Sequence, residues 1–173
     1  MFVFTKDSND GFQKWPLTEK ETVGYVVKNG NNQYQCYIVE QVYFSSMPHY
    51  RQYNIEPDLV TIGTFHSHPS GCFGDACYYQ PPSTRDLKTF YKFATESNHL
   101  KINFVVTAKK LFIIDMTMTT GTEQEKIIFN KMIQEFKNLK KKGYMMSAQE
   151  LVWIAISNKY PSIMTVLLQD YIV

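Results

Sequence analysis

The sequence predicts a single α+β domain, a β-sheet flanked by helices. Three observations predict it. Runs rich in β-branched and aromatic residues come in pairs around turn signals, at Asn29-Gly30-Asn31-Asn32 and again at Ala108-Lys109-Lys110. Two other stretches space their apolar residues at the helical period: Leu87, Phe90, Tyr91 and Phe93, then Ile128, Met132, Phe136 and Leu139. The 173 residues suit one domain that buries a core without disulfides, and neither an internal repeat nor a linker divides them.

Taken in order, residues 2–5 are a short strand candidate, and residues 7–15, polar and glycine-containing, read as loop or a poorly formed helix. Residues 22–28 and 33–44 are β-rich and flank the first turn signal, so they form a hairpin at one side of the sheet. Residues 45–57, with two prolines and few apolar side chains, read as a loop leading to a strand at 59–68. Residues 69–82 read as loop, and Ser83 with Asp86 opens a helix from about 84 to 96. A second hairpin occupies 102–107 and 111–116, followed by a polar connection and a surface helix over 123–142. The basic run Lys137, Lys140, Lys141 and Lys142 before Gly143 suits the end of that helix, where cations complement the dipole and glycine supplies the left-handed cap. Ser147 and Glu150 read as a capping box, and Pro161 as the first turn of a final helix ending near Leu168. Residues 123–173 are therefore expected to be a helical C-terminal part.

A net charge of +2 leaves no electrostatic footprint of a nucleic-acid binder, and no apolar run approaches the roughly eighteen residues a membrane span needs. Cys36, Cys72 and Cys77 are an odd number, and the opening Met-Phe-Val-Phe-Thr-Lys lacks the features of a secretory signal. The expectation is a reducing setting, cytosolic or nuclear, and not a secreted one.

The chemistry concentrates at the end of the strand over 59–68. In Phe65-His66-Ser67-His68-Pro69 the two histidines are two apart, so a strand places both on one face. Asp86 falls in the first turn of the following helix. Two imidazoles and one carboxylate are the ligand set of a catalytic zinc whose fourth position stays open for water. A His-x-His alone is more simply a pair of hydrogen-bonded strand histidines, and Ser-x-x-Asp alone is a helix cap. Glu21 has a rival reading as the partner of Thr18 in a capping box, but Val23-Gly24-Tyr25-Val26-Val27 behind it favours a strand.

The order Glu, His-x-His-Pro, Ser-x-x-Asp resembles the signature of the JAMM metallopeptidases, also called MPN+ or JAB-type isopeptidases, over roughly residues 17–116. The resemblance implies an MPN-like domain with a mixed, curved sheet between helices, to which the C-terminal helices would be additions. It implies His66, His68 and Asp86 as ligands of one zinc ion, Glu21 as the general base and Ser83 as the donor to the oxyanion. It further implies hydrolysis of the isopeptide bond that joins ubiquitin or a ubiquitin-like modifier to a lysine. Other members cleave peptides or other small proteins, and some have lost the metal and serve as scaffolds or interaction modules. This chain departs from the family in the fourteen residues, 69 to 82, between His68 and Ser83, twice the usual interval. The glycines and the Tyr78-Tyr79 pair of that insertion suit a clamp that pairs with an extended modifier tail, and a passive surface insertion is equally compatible. Cys72 and Cys77 within it are open to a second metal, to the free zinc position, or to no special role.

Overall fold

The computed structural model describes residues 20–31, 33–43, 60–68, 70–73, 76–79, 81–96, 101–107, 110–117, 121–141 and 146–170. The expectations for residues 2–5, 7–15 and 45–57, and the cap at Gly143, lie outside the described residues. The described elements are β1 (Lys20–Lys28), β2 (Tyr34–Tyr43), β3 (Val60–Ser67), β4 (Ser70–Phe73), β5 (Ala76–Tyr79), α1 (Thr84–Glu96), β6 (Ile102–Val106), β7 (Lys110–Met116), α2 (Glu123–Lys141), α3 (Met146–Lys159) and β8 (Met164–Asp170). The α+β class stands. A six-stranded sheet in the order β2-β1-β3-β6-β7-β8 is mixed, because β3 and β6 run parallel while the other neighbours are antiparallel.

One face of this sheet lies against all three helices. Val105, Phe112 and Ile114 point to that face and join Leu87 and Phe90 of α1, Phe129, Met132 and Phe136 of α2, and Trp153 and Ile156 of α3 in one buried cluster. The helical spacing seen in the sequence is the spacing of these contacts: Leu87, Phe90 and Ala94 are the buried residues of α1. Aromatic geometry orders the cluster further, with Tyr91 stacked on Phe129 at 3.8 Å and Phe136 meeting Trp153 edge-on at 4.8 Å. On the opposite face Val26, Phe65, Phe104, Val106 and Leu111 form a second buried cluster.

The βα crossover from β3 through α1 to β6 is what positions the chemistry. Gly63 lets β3 run close to the start of β6, since a Cβ there would lie 2.5 Å from the Ile102 carbonyl oxygen. At the start of α1, Ser83 and Asp86 make a reciprocal cap: the Ser83 N–H donates to Asp86 Oδ2 at 2.6 Å, and the Asp86 N–H donates to Ser83 Oγ at 3.2 Å. Thr122 and Glu125 form the same device ahead of α2, at 3.2 and 3.3 Å.

Two expectations are corrected. The final helix expected from Pro161 to near Leu168 is a turn followed by strand β8, which pairs antiparallel with β7 from Met116↔Met164 to Lys110↔Asp170. Its burial alternates, with Met164, Val166 and Leu168 turned to the helix-covered face and Thr165, Leu167 and Gln169 exposed, which is a period of two. The residues expected to be a helical part from 123 to 173 thus comprise two helices and a sheet strand. Lys110 fastens this strand, reaching Glu150 of α3 at 3.0 Å and Asp170 of β8 at 3.1 Å. The second correction concerns the insertion 69–82, which contains a hairpin: β4 and β5 pair from Ser70↔Tyr79 to Phe73↔Ala76. Helix α3 starts at Met146, one residue before the expected cap at Ser147.

Candidate metal centre

His66 and His68 sit at the carboxyl end of β3, on the face that the helices cover, because His66 is level with Val105 of the apolar cluster. Beyond the carboxyl ends of parallel strands is where open sheets of this kind place their ligand sites. The strand alternation that puts both imidazoles on this face turns Ser67 to the other. Both histidines are buried, at 6 % and 5 % exposure. Asp86 approaches them from the first turn of α1, directed by the cap it shares with Ser83.

The distances suit a common centre. His66 Nε2 and His68 Nε2 are 3.1 Å apart, and His68 Nε2 lies 3.4 Å from Asp86 Oδ2. Ligand atoms each about 2.0 to 2.1 Å from a tetrahedral zinc stand about 3.3 Å from one another. One ligand atom from each of the three residues falls within 4.8 Å of the other two, and they are the group among the described residues able to hold a metal ion.

Protonation agrees with that geometry. Burial, seconded by the neighbouring His68, lowers the pKa of His66 from 6.5 to about 4, so the ring is neutral at pH 7 with a lone pair to offer. Asp86 is itself buried enough for its pKa to be driven up, yet the hydrogen bond from His68 and the two adjacent imidazoles hold it well below the usual carboxylate range. Asn103 of β6, 2 % exposed and level with Thr64, opposes the shift at His66. Its Oδ1 nevertheless meets no donor within hydrogen-bonding geometry among the described residues. An acceptor buried behind a metal-binding imidazole is the usual device for holding the ring N–H and leaving the other nitrogen for the ion. The donor set and this acceptor fit a zinc ion.

Glu21 belongs to β1, opposite Val42 of β2. In the pairing with β3, Val23 stands against His66, and the Thr22 N–H donates to the Ser67 hydroxyl at 2.9 Å, one step further along. Glu21 precedes Val23 by two residues in β1. Ser83 Oγ accepts from the Asp86 N–H, and the Ser83 side chain also helps hold the Asp86 carboxylate in its charged form. Of the residues singled out in the sequence, His66, His68, Asp86 and Ser83 come together at the carboxyl end of β3, and β1, which carries Glu21, is the neighbouring strand.

The supports of the site had no local signal. Ser67 holds the start of β1 to β3 across 45 residues, and Asn103 lies on a strand read only as apolar. Trp153, wholly buried in α3, donates its indole N–H to the Pro82 carbonyl at 3.2 Å, across 71 residues, and so anchors the chain just ahead of Ser83. A tryptophan in a helix invites the question of where its N–H goes, and that was the available clue. No helix of the described residues is long and apolar enough to cross a membrane. In comparisons with known proteins, the chain matches no family model, no curated protein and no solved structure.

Proposed function

We propose that the chain is a zinc-dependent isopeptidase, removing ubiquitin or a ubiquitin-like modifier from conjugates in a reducing cytosolic or nuclear compartment. The observation that carries the reading is the spacing of the His66, His68 and Asp86 ligand atoms, at 3.1 and 3.4 Å, with Glu21 on the neighbouring strand two residues before the Val23 that pairs with His66. A zinc ion there would be held by His66, His68 and Asp86 and would supply Lewis acidity to activate water for attack on the amide.

The chain's own residues divide the remaining work. Glu21 accepts the proton of the attacking water and delivers it to the departing amine, without which an amide nitrogen leaves poorly. Ser83 turns its hydroxyl hydrogen to the developing oxyanion, a contribution of about 3 to 4 kcal/mol for one well-placed donor. The Ser83–Asp86 cap orients that hydroxyl and the Asp86 carboxylate together, so both depend on the start of α1. Burial of His66 and His68 keeps bulk water from competing for their nitrogens.

The test takes the purified chain through elemental analysis and a panel of ubiquitin and ubiquitin-like conjugates. One zinc per chain is expected, lost on His66→Ala or Asp86→Ala. Glu21→Gln should retain the zinc and the fold while turnover falls by about two to four decades. Absence of zinc from the wild type, or zinc undiminished in both ligand variants, overturns the metal assignment. Bound zinc with no cleavage of any conjugate would point instead to an interaction module.

A further inference from the structure

The insertion between His68 and Ser83 places two cysteines opposite one another. Cys72 of β4 and Cys77 of β5 are antiparallel register partners, flanked by the pairs Gly71↔Tyr78 and Phe73↔Ala76. Directly opposed antiparallel residues have Cα atoms about 4.5 to 5.5 Å apart, inside the span of about 4.4 to 6.8 Å that a disulfide bridges.

We propose that Cys72 and Cys77 are a reversible dithiol–disulfide site, oxidised by thiol–disulfide exchange with a low-molecular-weight disulfide such as oxidised glutathione. One cysteine thiolate attacks the small disulfide, forming a mixed disulfide and releasing one small thiol. The second cysteine thiolate then attacks the protein-bound sulfur, closing the Cys72–Cys77 bond and releasing the other small thiol. Two electrons pass from the pair to the small disulfide, and the two cysteine protons end on the released thiols. The ring so closed spans only the four residues 73 to 76 between the cysteines. A loop that short contributes little chain-entropy stabilisation, which makes the bond one that cellular thiols reopen rather than a permanent staple. Cys36, in β2, belongs to the other sheet and takes no part. The site is independent of the hydrolytic reading, and its test needs no turnover.

The full chain is equilibrated in glutathione buffers from reducing to oxidising, acid-quenched, alkylated and weighed intact. Two of the three cysteines should become unavailable together, with the loss of two hydrogens and no added glutathione, and a peptide map should join Cys72 to Cys77. A reducing buffer should restore all three thiols. In Cys72→Ser and Cys77→Ser the intramolecular bond should vanish, leaving a free thiol or a single glutathione adduct. Three thiols persisting across the series, a bond through Cys36, a link between chains, or a glutathione adduct on the wild type that never resolves internally would each overturn the proposal.

Discussion

The two ends of the helix-covered sheet face solve opposite problems. At the β7–β8 end, Phe112, Ile114, Met116 and Met164 meet Trp153, Ile156 and Ile163 in a wholly apolar contact. At the β1–β3 end, the same face carries His66, His68 and Asn103, all buried, with Asp86 beside them. Buried polar atoms there lack partners: Thr64 Oγ1 and Asn103 Oδ1 have none among the described residues. An orphaned buried acceptor costs about 1 to 3 kcal/mol, so the polar end weakens the fold in the absence of an ion and the apolar end supports it. The two are joined physically, because the central side chain of the apolar end, Trp153, holds the Pro82 carbonyl next to the polar one.

The largest effect should come from removing that joint. Trp153→Ala empties the middle of the apolar end and should cost about 3 to 5 kcal/mol of folding stability, read as a fall in the denaturant midpoint. Trp153→Phe separates the two roles: the ring volume is largely kept, and losing the bond to Pro82 should cost about 1 kcal/mol while zinc affinity weakens. If Trp153→Phe leaves zinc affinity at the wild-type value, the two ends are independent.

A smaller effect should run in opposite directions at the polar end. Asn103→Leu removes the unpaired oxygen, so the zinc-free protein should melt no lower than wild type. Zinc affinity should fall by about tenfold to a hundredfold, as it does when an outer partner of a ligand is lost. Competition with a chromophoric chelator measures the affinity, and an unchanged value would show that Asn103 does not orient His66.

The smallest effect belongs to the apolar end alone. Tyr160, buried behind α3, donates its hydroxyl to Glu135 at 2.6 Å, while Lys159 pairs with the same carboxylate. That hydrogen bond, then burial, pushes the Tyr160 pKa from 10 to about 12. The folded state therefore retains a proton that the unfolded state releases between pH 10 and 12. The stability from this contact is complete below pH 10 and is lost as pH rises toward 12. Thermal midpoints of Tyr160→Phe should decline less steeply than wild type across that window. A parallel decline in both proteins would remove Tyr160 as the cause, and zinc content should be indifferent to the change.

What was legible in the sequence was whatever local spacing dictates. A spacing of two from His66 to His68 fixes a common face in any strand, and a spacing of three from Ser83 to Asp86 fixes a cap that aims the carboxylate in any helix. The apolar periods of α1 and α2 likewise follow from 3.6 residues per turn, whatever they pack against. Residues 161–168 were not legible in this way. Pro161 and the run Val166-Leu167-Leu168 are compatible with a helix, and the open edge of β7, to which β8 adds, decides for a strand. The same holds for the Thr22–Ser67 and Trp153–Pro82 hydrogen bonds and for the register that pairs Val23 with His66. Periodicity constrains a side chain only relative to its neighbours within a turn or two. Which segments meet across 45 or 71 residues is decided by the edges and faces left free once the whole chain has packed.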